Sequence, residues 1–160
     1  MPKPSLDAID RKILARLQKD GRIANNDLAS AIGLSPSPCL RRVKALEESG
    51  VIRTYVALVD PSTVDLPVNV FVSVTLEKQI EERLDAFEAA IMHRPEVLEC
   101  YLMTGEADYL LRVVVPDLAA YEHFLKTHLT RIPGVSSIKS SFALKQVRYE
   151  TALPLHHLPA

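Results

Sequence analysis

The stretch Ser35–Gly50, SPSPCLRRVKALEESG, constrains this chain most, because it reads as one helix with two unlike faces. Ser35 is placed to cap it by accepting from the first free N–H groups. Pro36 suits the first helical position, and Gly50 suits a left-handed stop. At about 100° per residue, Cys39, Val43 and Leu46 fall together with Leu40 at their edge. Ser37, Arg41, Lys44, Ala45 and Glu48 fall opposite, and Arg42 lies on a flank. Alone, this is an amphipathic helix with a solvated face. The residues before it decide what it is for.

Leu6, Ile9, Ile13 and Leu17 recur at helical spacing, with Asp7 as cap, Asp10 in the first turn and Gly21 as stop. A short second helix runs from Asn25 or Asn26, capped by an asparagine, to Ile32, with Gly33 ending it. Three helices, the last two joined by a turn of about three residues with a glycine, form the helix-turn-helix pattern. Ala29 allows the close approach this needs. With Ser37, Arg41 and Lys44 facing out, DNA binding is the expected activity.

Net charge speaks against a nucleic-acid binder at −1, but its distribution does not. Residues 1–60 carry +3 and residues 61–160 carry −4. Two modules with different partners follow. No apolar run approaches a membrane span, and the first ten residues have no signal-peptide core. Cys39 and Cys100 are too few and too far apart for a disulfide framework, so both are read as small buried hydrophobes in a cytoplasmic protein.

After Gly50, VIRTYVALVD reads as a strand pair, or a strand and linker, in the position of a wing that would set Arg53 beside the DNA backbone. Arg22 and Arg42 suit the same role of neutralising phosphates. Residues 61–67 are the expected linker. Then Val68–Leu76 alternates strictly, with Val68, Val70, Val72, Val74 and Leu76 on one face and Asn69, Phe71, Ser73 and Thr75 on the other. A helix over Glu81–His93 presents Leu84, Phe87 and Ile91 inward. Strands over Val97–Met103 and Tyr109–Val115 form a hairpin around the turn Thr104–Asp108. Asp117 caps a helix bearing Leu118, Tyr121, Phe124, Leu125 and Leu129, and Val135–Val147 is the last strand. This β-α-β-β-α-β order is the split βαβ of ferredoxin-like domains. The fold class is therefore α+β: a helix-turn-helix domain over 1–60, then a ferredoxin-like domain over 68–153 and a tail over 154–160. The bare sheet face, with Phe71 on it, is expected to meet a second copy. His156 and His157 are read as tail, without a metal site.

The stretches LDAIDRKILARLQKDGR, NDLASAIGLSPSPCLRRVKALEESGVI and ECYLMTGEADYLLRV with IPGV together resemble the leucine-responsive and asparagine-responsive regulator family, Lrp/AsnC, from Leu6 to Leu153. SSFALKQVRYETALPL further resembles the subgroup that activates branched-chain keto-acid catabolism. The resemblance implies a DNA-binding N-terminal module. It implies a C-terminal module that binds an amino-acid effector, a branched-chain one on the subgroup resemblance, and drives assembly to dimers and octamers in the nucleoid-associated cytoplasm. The implied DNA-contact set is Ser35, Ser37, Arg41, Arg42, Lys44 and Arg53.

The implied effector set is Met103, Thr104, Gly105, Glu106, Asp108 and Tyr109, with Ser140 and Ser141 of the last strand closing the pocket from a neighbouring subunit. Gly105 lets a ligand carboxylate approach backbone N–H groups, and Asp108 suits an ammonium. Read from spacing alone, the same turn is a plain hairpin. Glu106 stands where the family usually has Asp. No catalytic constellation, phosphate loop, cofactor motif or metal set is present in the sequence. The alternatives are an effector-independent architectural DNA binder and an amino-acid-sensing regulatory subunit of an enzyme.

Overall fold

A computed structural model describes residues 5–159. Met1–Pro4 and Ala160, at the ends of the expected first domain and tail, lie outside the described residues. The chain divides into two units, residues 1–58 with 148–160, and residues 59–147.

The first unit holds α1 (Ala8–Leu17), α2 (Asn25–Ile32) and α3 (Pro36–Glu48). Asp7 starts α1 as expected: its side chain accepts from Ile9 and Asp10 N–H, while the Asp10 carboxylate accepts the Asp7 N–H in return. Ile13, Leu14, Leu28, Ala29, Ile32, Cys39 and Leu46 form the core. Three expectations fail here. Ser35 makes no side-chain cap, and Pro38 at the third helical position removes one of the two N–H groups such a cap can use. The residue before α2 is Ala24, not an asparagine; Asn25 is already helical and its side chain bonds elsewhere. Gly21 does not stop α1, which ends at Leu17; a Cβ on Gly21 would stand 3.1 Å from the Tyr55 ring, so the glycine serves that close approach.

Asp7 gives this unit an acid-sensitive start. The Asp10 backbone N–H, then Arg42, hold its carboxyl below the ordinary value of 3.8. A folded value below the unfolded one contributes stability above the ordinary carboxylate range and loses it as pH falls through the lowered value. Asp7→Ala is expected to remove about 1 kcal/mol at neutral pH, the usual worth of a cap. It should also flatten the fall in stability below about pH 4. Urea melts at several pH values measure both.

No strand forms over residues 51–60, so the expected strand pair and wing are absent from the described structure; Val56, Leu58 and Val59 are exposed there. Alternating apolar residues make a strand only where a neighbour supplies a ladder.

The second unit holds β1 (Val68–Leu76), α4 (Glu81–Ile91), β2 (Val97–Leu102), β3 (Tyr109–Val115), α5 (Leu118–Thr127) and β4 (Val135–Phe142). The sheet is antiparallel in the order β2-β3-β1-β4. Val70, Val72, Val74 and Leu76 of β1 pack with Leu111 and Val113 beneath Phe87 and Ile91 of α4 and Tyr121 and Phe124 of α5. The expected α+β fold with its split βαβ is therefore present.

The differences have local causes. β4 stops at Phe142 rather than Val147 because β1 begins at Val68, so the ladder ends with Ala143 N–H donating to Asn69 O at 2.9 Å. Leu118 is exposed, in the first turn of α5, and Leu129 is buried from the turn after it. Cys39 is buried as expected, but Cys100 is exposed on edge strand β2. The open sheet face is mixed rather than apolar. Beside Phe71, Arg112 pairs with Glu99 at 2.8 Å and bonds Asn69 at 3.3 Å, and the Tyr101 hydroxyl donates to Glu99. Alternation on β1 fixed only the parity of its own residues; β3 brought the arginine.

The last residues of the expected 68–153 domain pack with the helices of the first unit. Residues 148–159 group with the first unit. The Gln18 side-chain amide donates to Leu153 O at 3.1 Å and accepts the Leu153 N–H at 2.7 Å. Arg11 donates to Leu158 O, and Leu155 packs on the helical core.

Candidate functional site

On α3, buried Cys39 and Leu46 turn the opposite face outward. Ser35, Ser37, Arg41 and Lys44 are all exposed, and among the described residues Arg41 and Lys44 have no ion-pair partner. That face is a row of short polar and cationic groups, the composition a major groove accepts. Arg53 is exposed beyond the helix, in a segment without regular structure. Arg42 departs from its expected role. It is half-buried and its Nη1 lies 2.7 Å from Asp7 and 2.9 Å from Asp10, so its charge is already answered within the fold.

One contact on this helix escaped the sequence reading. Asn25 Nδ2 donates to Pro36 O at 2.9 Å, joining the first residues of α2 and α3. An asparagine at a helix start, eleven residues ahead of a proline, gives no signal of this contact in one dimension.

In the second unit, Met103, Thr104, Gly105 and Glu106 are exposed at the hairpin turn between β2 and β3. Gly105 has φ +117°, which a side chain rarely adopts, although nothing crowds a Cβ there. The turn thus needs glycine for its path. Asp108 departs from its expected role. It is 3% exposed; its carboxylate accepts the Leu76 N–H at 2.6 Å and a hydrogen bond from Gln79. It closes the end of β1 rather than facing outward.

Tyr109 is buried, with its ring stacked 4.4 Å from Phe87 and its hydroxyl donating to Glu88 at 2.8 Å. Burial, then the Glu88 carboxylate, push its phenol far up, so it stays protonated as a donor. Tyr109 and Leu102, which flank the turn, also line a cleft of about 220 Å³ with Glu88, Ile91, Met92 and Cys100. Cys100 is exposed as a residue, but its thiol is partly enclosed by the cleft; that partial burial, then Glu88, raise it to about 11, so it stays neutral.

The two serines do not join this site within one chain. Ser140 pairs with Val72 and its hydroxyl lies 2.5 Å from that of Tyr121, under the helices; Ser141 pairs with Phe71 on the open face. From Tyr109, Ser140 is two strands across and two residues along, roughly 12 Å away at standard sheet spacings.

Comparison with known proteins agrees with both halves. Residues 69–153 match the Lrp/AsnC ligand binding domain, and residues 6–53 match a winged helix-turn-helix DNA-binding family. The chain is 53% identical over 150 residues to the Bkd operon transcriptional regulator of Pseudomonas aeruginosa, covering 94% of this chain and 98% of that protein. It is 42% identical over 152 residues to the leucine-responsive regulatory protein of Escherichia coli strain K12, covering 95% and 93%. Among solved structures, a Neisseria meningitidis transcriptional regulator in complex with L-Met superposes with a TM-score of 0.91 at 42% identity, covering 96% of this chain and 99% of that one. An AsnC family regulator from Agrobacterium tumefaciens gives 0.89 at 48%, covering 94% and 97%. An exposed basic helix in a helix-turn-helix unit, joined to a ligand-binding sheet domain, is thus the arrangement of a known group: this chain belongs to the Lrp/AsnC family of DNA-binding transcriptional regulators, which are not enzymes.

Proposed function

We propose that this regulator reads its operator with Ser37, Arg41 and Lys44 of α3, and that an apolar α-amino acid at the β2–β3 turn alters how that helix is presented. The observation that carries the effector reading is the cleft beside the turn. Ile91, Met92 and Leu102 line it, which suits an aliphatic or thioether side chain, and Glu88 at its wall disfavours an acidic one. The backbone at Gly105 takes the ligand carboxylate. The relative solved with L-Met and the relatives named for leucine and the Bkd operon support the same ligand class. The aliphatic lining is compatible in chemistry with a branched-chain side chain as well as a thioether.

The working form is a homodimer assembling to an octamer. Phe71, 39% exposed on the open sheet face, supports a second copy seated on that face. Ser140 and Ser141 then serve a turn in another subunit rather than their own. Its place is the cytoplasm, with the DNA; no helix among the described residues is long and apolar enough to cross a membrane. A ligand shifts the assembly only by binding one state better than another.

Calorimetric titration with leucine, isoleucine, valine and methionine, against aspartate and lysine, tests this reading. Heat with the apolar set, together with a change in assembled mass by light scattering, is the expected result. No heat with any amino acid, from protein that still binds DNA, overturns the sensing half.

A further inference from the structure

We propose that Arg42 and Asn25 are positioning residues: they mount α3 on α1 and α2 at two points and so set sequence discrimination, and Arg42 touches no phosphate. The mount at Arg42 uses every carboxylate oxygen of the α1 capping box. Asp7 Oδ1 accepts Ile9 and Asp10 N–H, both at 2.9 Å, and Asp7 Oδ2 takes Arg42 Nη1 at 2.7 Å. Asp10 Oδ2 accepts the Asp7 N–H at 3.2 Å, and Asp10 Oδ1 takes the same Nη1 at 2.9 Å. The cap that starts α1 is therefore also the receptor for a side chain of α3.

Two carboxylates face one guanidinium, so the cluster has no surplus positive charge to offer DNA. The hydrogen bonds that Arg42 donates to Asp7 and then to Asp10 raise its pKa, consistent with a guanidinium held by both carboxylates. The Asp10 side chain is only 14% exposed, which limits screening.

The second point is Asn25 Nδ2 on Pro36 O at 2.9 Å, at the first residue of α3. Pro36 and Arg42 are six residues apart, about 9 Å along the axis. Fixing both sets the tilt of α3 and its rotation about its own axis. At a side-chain radius of about 5–6 Å, a rotation of about 10° displaces a head group by about 1 Å. Arg41, next to Arg42 in sequence, moves with it. Base-edge contacts tolerate such displacement poorly, whereas phosphate attraction barely registers it.

The inference rests on the reading that α3 presents Arg41 to the bases, and one set of variants tests the two separately. The probes are a duplex selected from a random pool by the unaltered full-length protein, and a scrambled duplex, across a salt series. Arg42→Gln, Asp10→Asn and Asn25→Ala are each expected to lower the ratio of selected to scrambled affinity about tenfold, the worth of one specific contact. The slope of log affinity against log salt should stay unchanged. Asp10→Asn is the sharpest arm. It removes a negative charge, so simple phosphate attraction calls for tighter binding to both duplexes, whereas a positioning role calls for weaker binding to the selected one.

A slope reduced by about 0.9 for each Arg42 replaced would mark a phosphate contact and overturn the proposal. So would Asp10→Asn tightening both duplexes, or an unchanged affinity ratio in Asp10→Asn and Asn25→Ala. If Arg42→Gln fails to fold by circular dichroism, those two variants decide alone. Arg41→Ala with unchanged binding defeats the reading of α3 itself; Arg41→Ala with weakened binding beside unchanged mount variants defeats only this inference.

Discussion

Asp108→Ala is expected to lower the stability of the sheet unit by about 1–3 kcal/mol, the penalty for leaving a buried backbone donor without its acceptor. The donor is the Leu76 N–H, 2.6 Å from the Asp108 carboxylate and enclosed at the end of β1. Gln79 loses its partner too, but it can turn to water, so the Leu76 N–H dominates. For a unit of this size each kcal/mol lowers the Tm by roughly 4–8 °C. Asp108→Asn keeps an acceptor of the same shape and should recover most of the loss. Thermal melts of both variants check this. The paired calorimetric result separates the roles: if Asp108 only closes the strand, Asp108→Asn retains the heat of effector binding. Loss of that heat with an unchanged melt would return Asp108 to the ligand.

Arg41→Ala is expected to weaken operator binding by about 1–3 kcal/mol per half-site, the range for a bidentate contact between arginine and guanine. In a two-fold complex both half-sites lose it, so the total fall in affinity is roughly 30-fold or more when the two losses add. Folding should be untouched, because Arg41 is exposed and has no ion-pair partner among the described residues. Gel-shift titration with the selected duplex reads the affinity, and unchanged retardation would remove Arg41 from the interface. Substitutions at Arg41 and Arg42 thus separate two neighbours of identical chemistry. One points its charge at solvent; the other spends it on Asp7 and Asp10.

Much of this molecule was legible in one dimension. Asp7 with Asp10 three residues on is a capping pattern, and the cap is there. Strict alternation over Val68–Leu76 gave the strand, its bounds and its buried face. Where local reading failed, a competing local fact was sometimes also in the sequence: Pro38 withholds one of the two N–H groups that a Ser35 cap can use. More often the deciding partner was distant. Gly21 looked like a stop and proved to be clearance for Tyr55. Residues 51–60 had the composition of strands and no ladder to join.

The candidate sites divide along the same line. Periodicity placed Ser37, Arg41 and Lys44 on the outer face of α3, because a regular helix converts spacing into direction. It placed Arg42 on a flank but not in the arms of Asp7 and Asp10, which are more than thirty residues away. It marked the turn at Gly105, where a positive φ demands glycine, but not that Asp108 turns inward to serve Leu76. By itself the sequence determined the helices, the ladder-paired strands of the second unit and most of their faces, since these depend on hydrogen bonds and side-chain periods within a few residues, and its motifs carried the family resemblance. Tertiary structure decided which charges remain available to a partner. An ionisable side chain goes to whichever opposite charge or buried donor folding brings within about 3 Å, and spacing along the chain does not specify that neighbour.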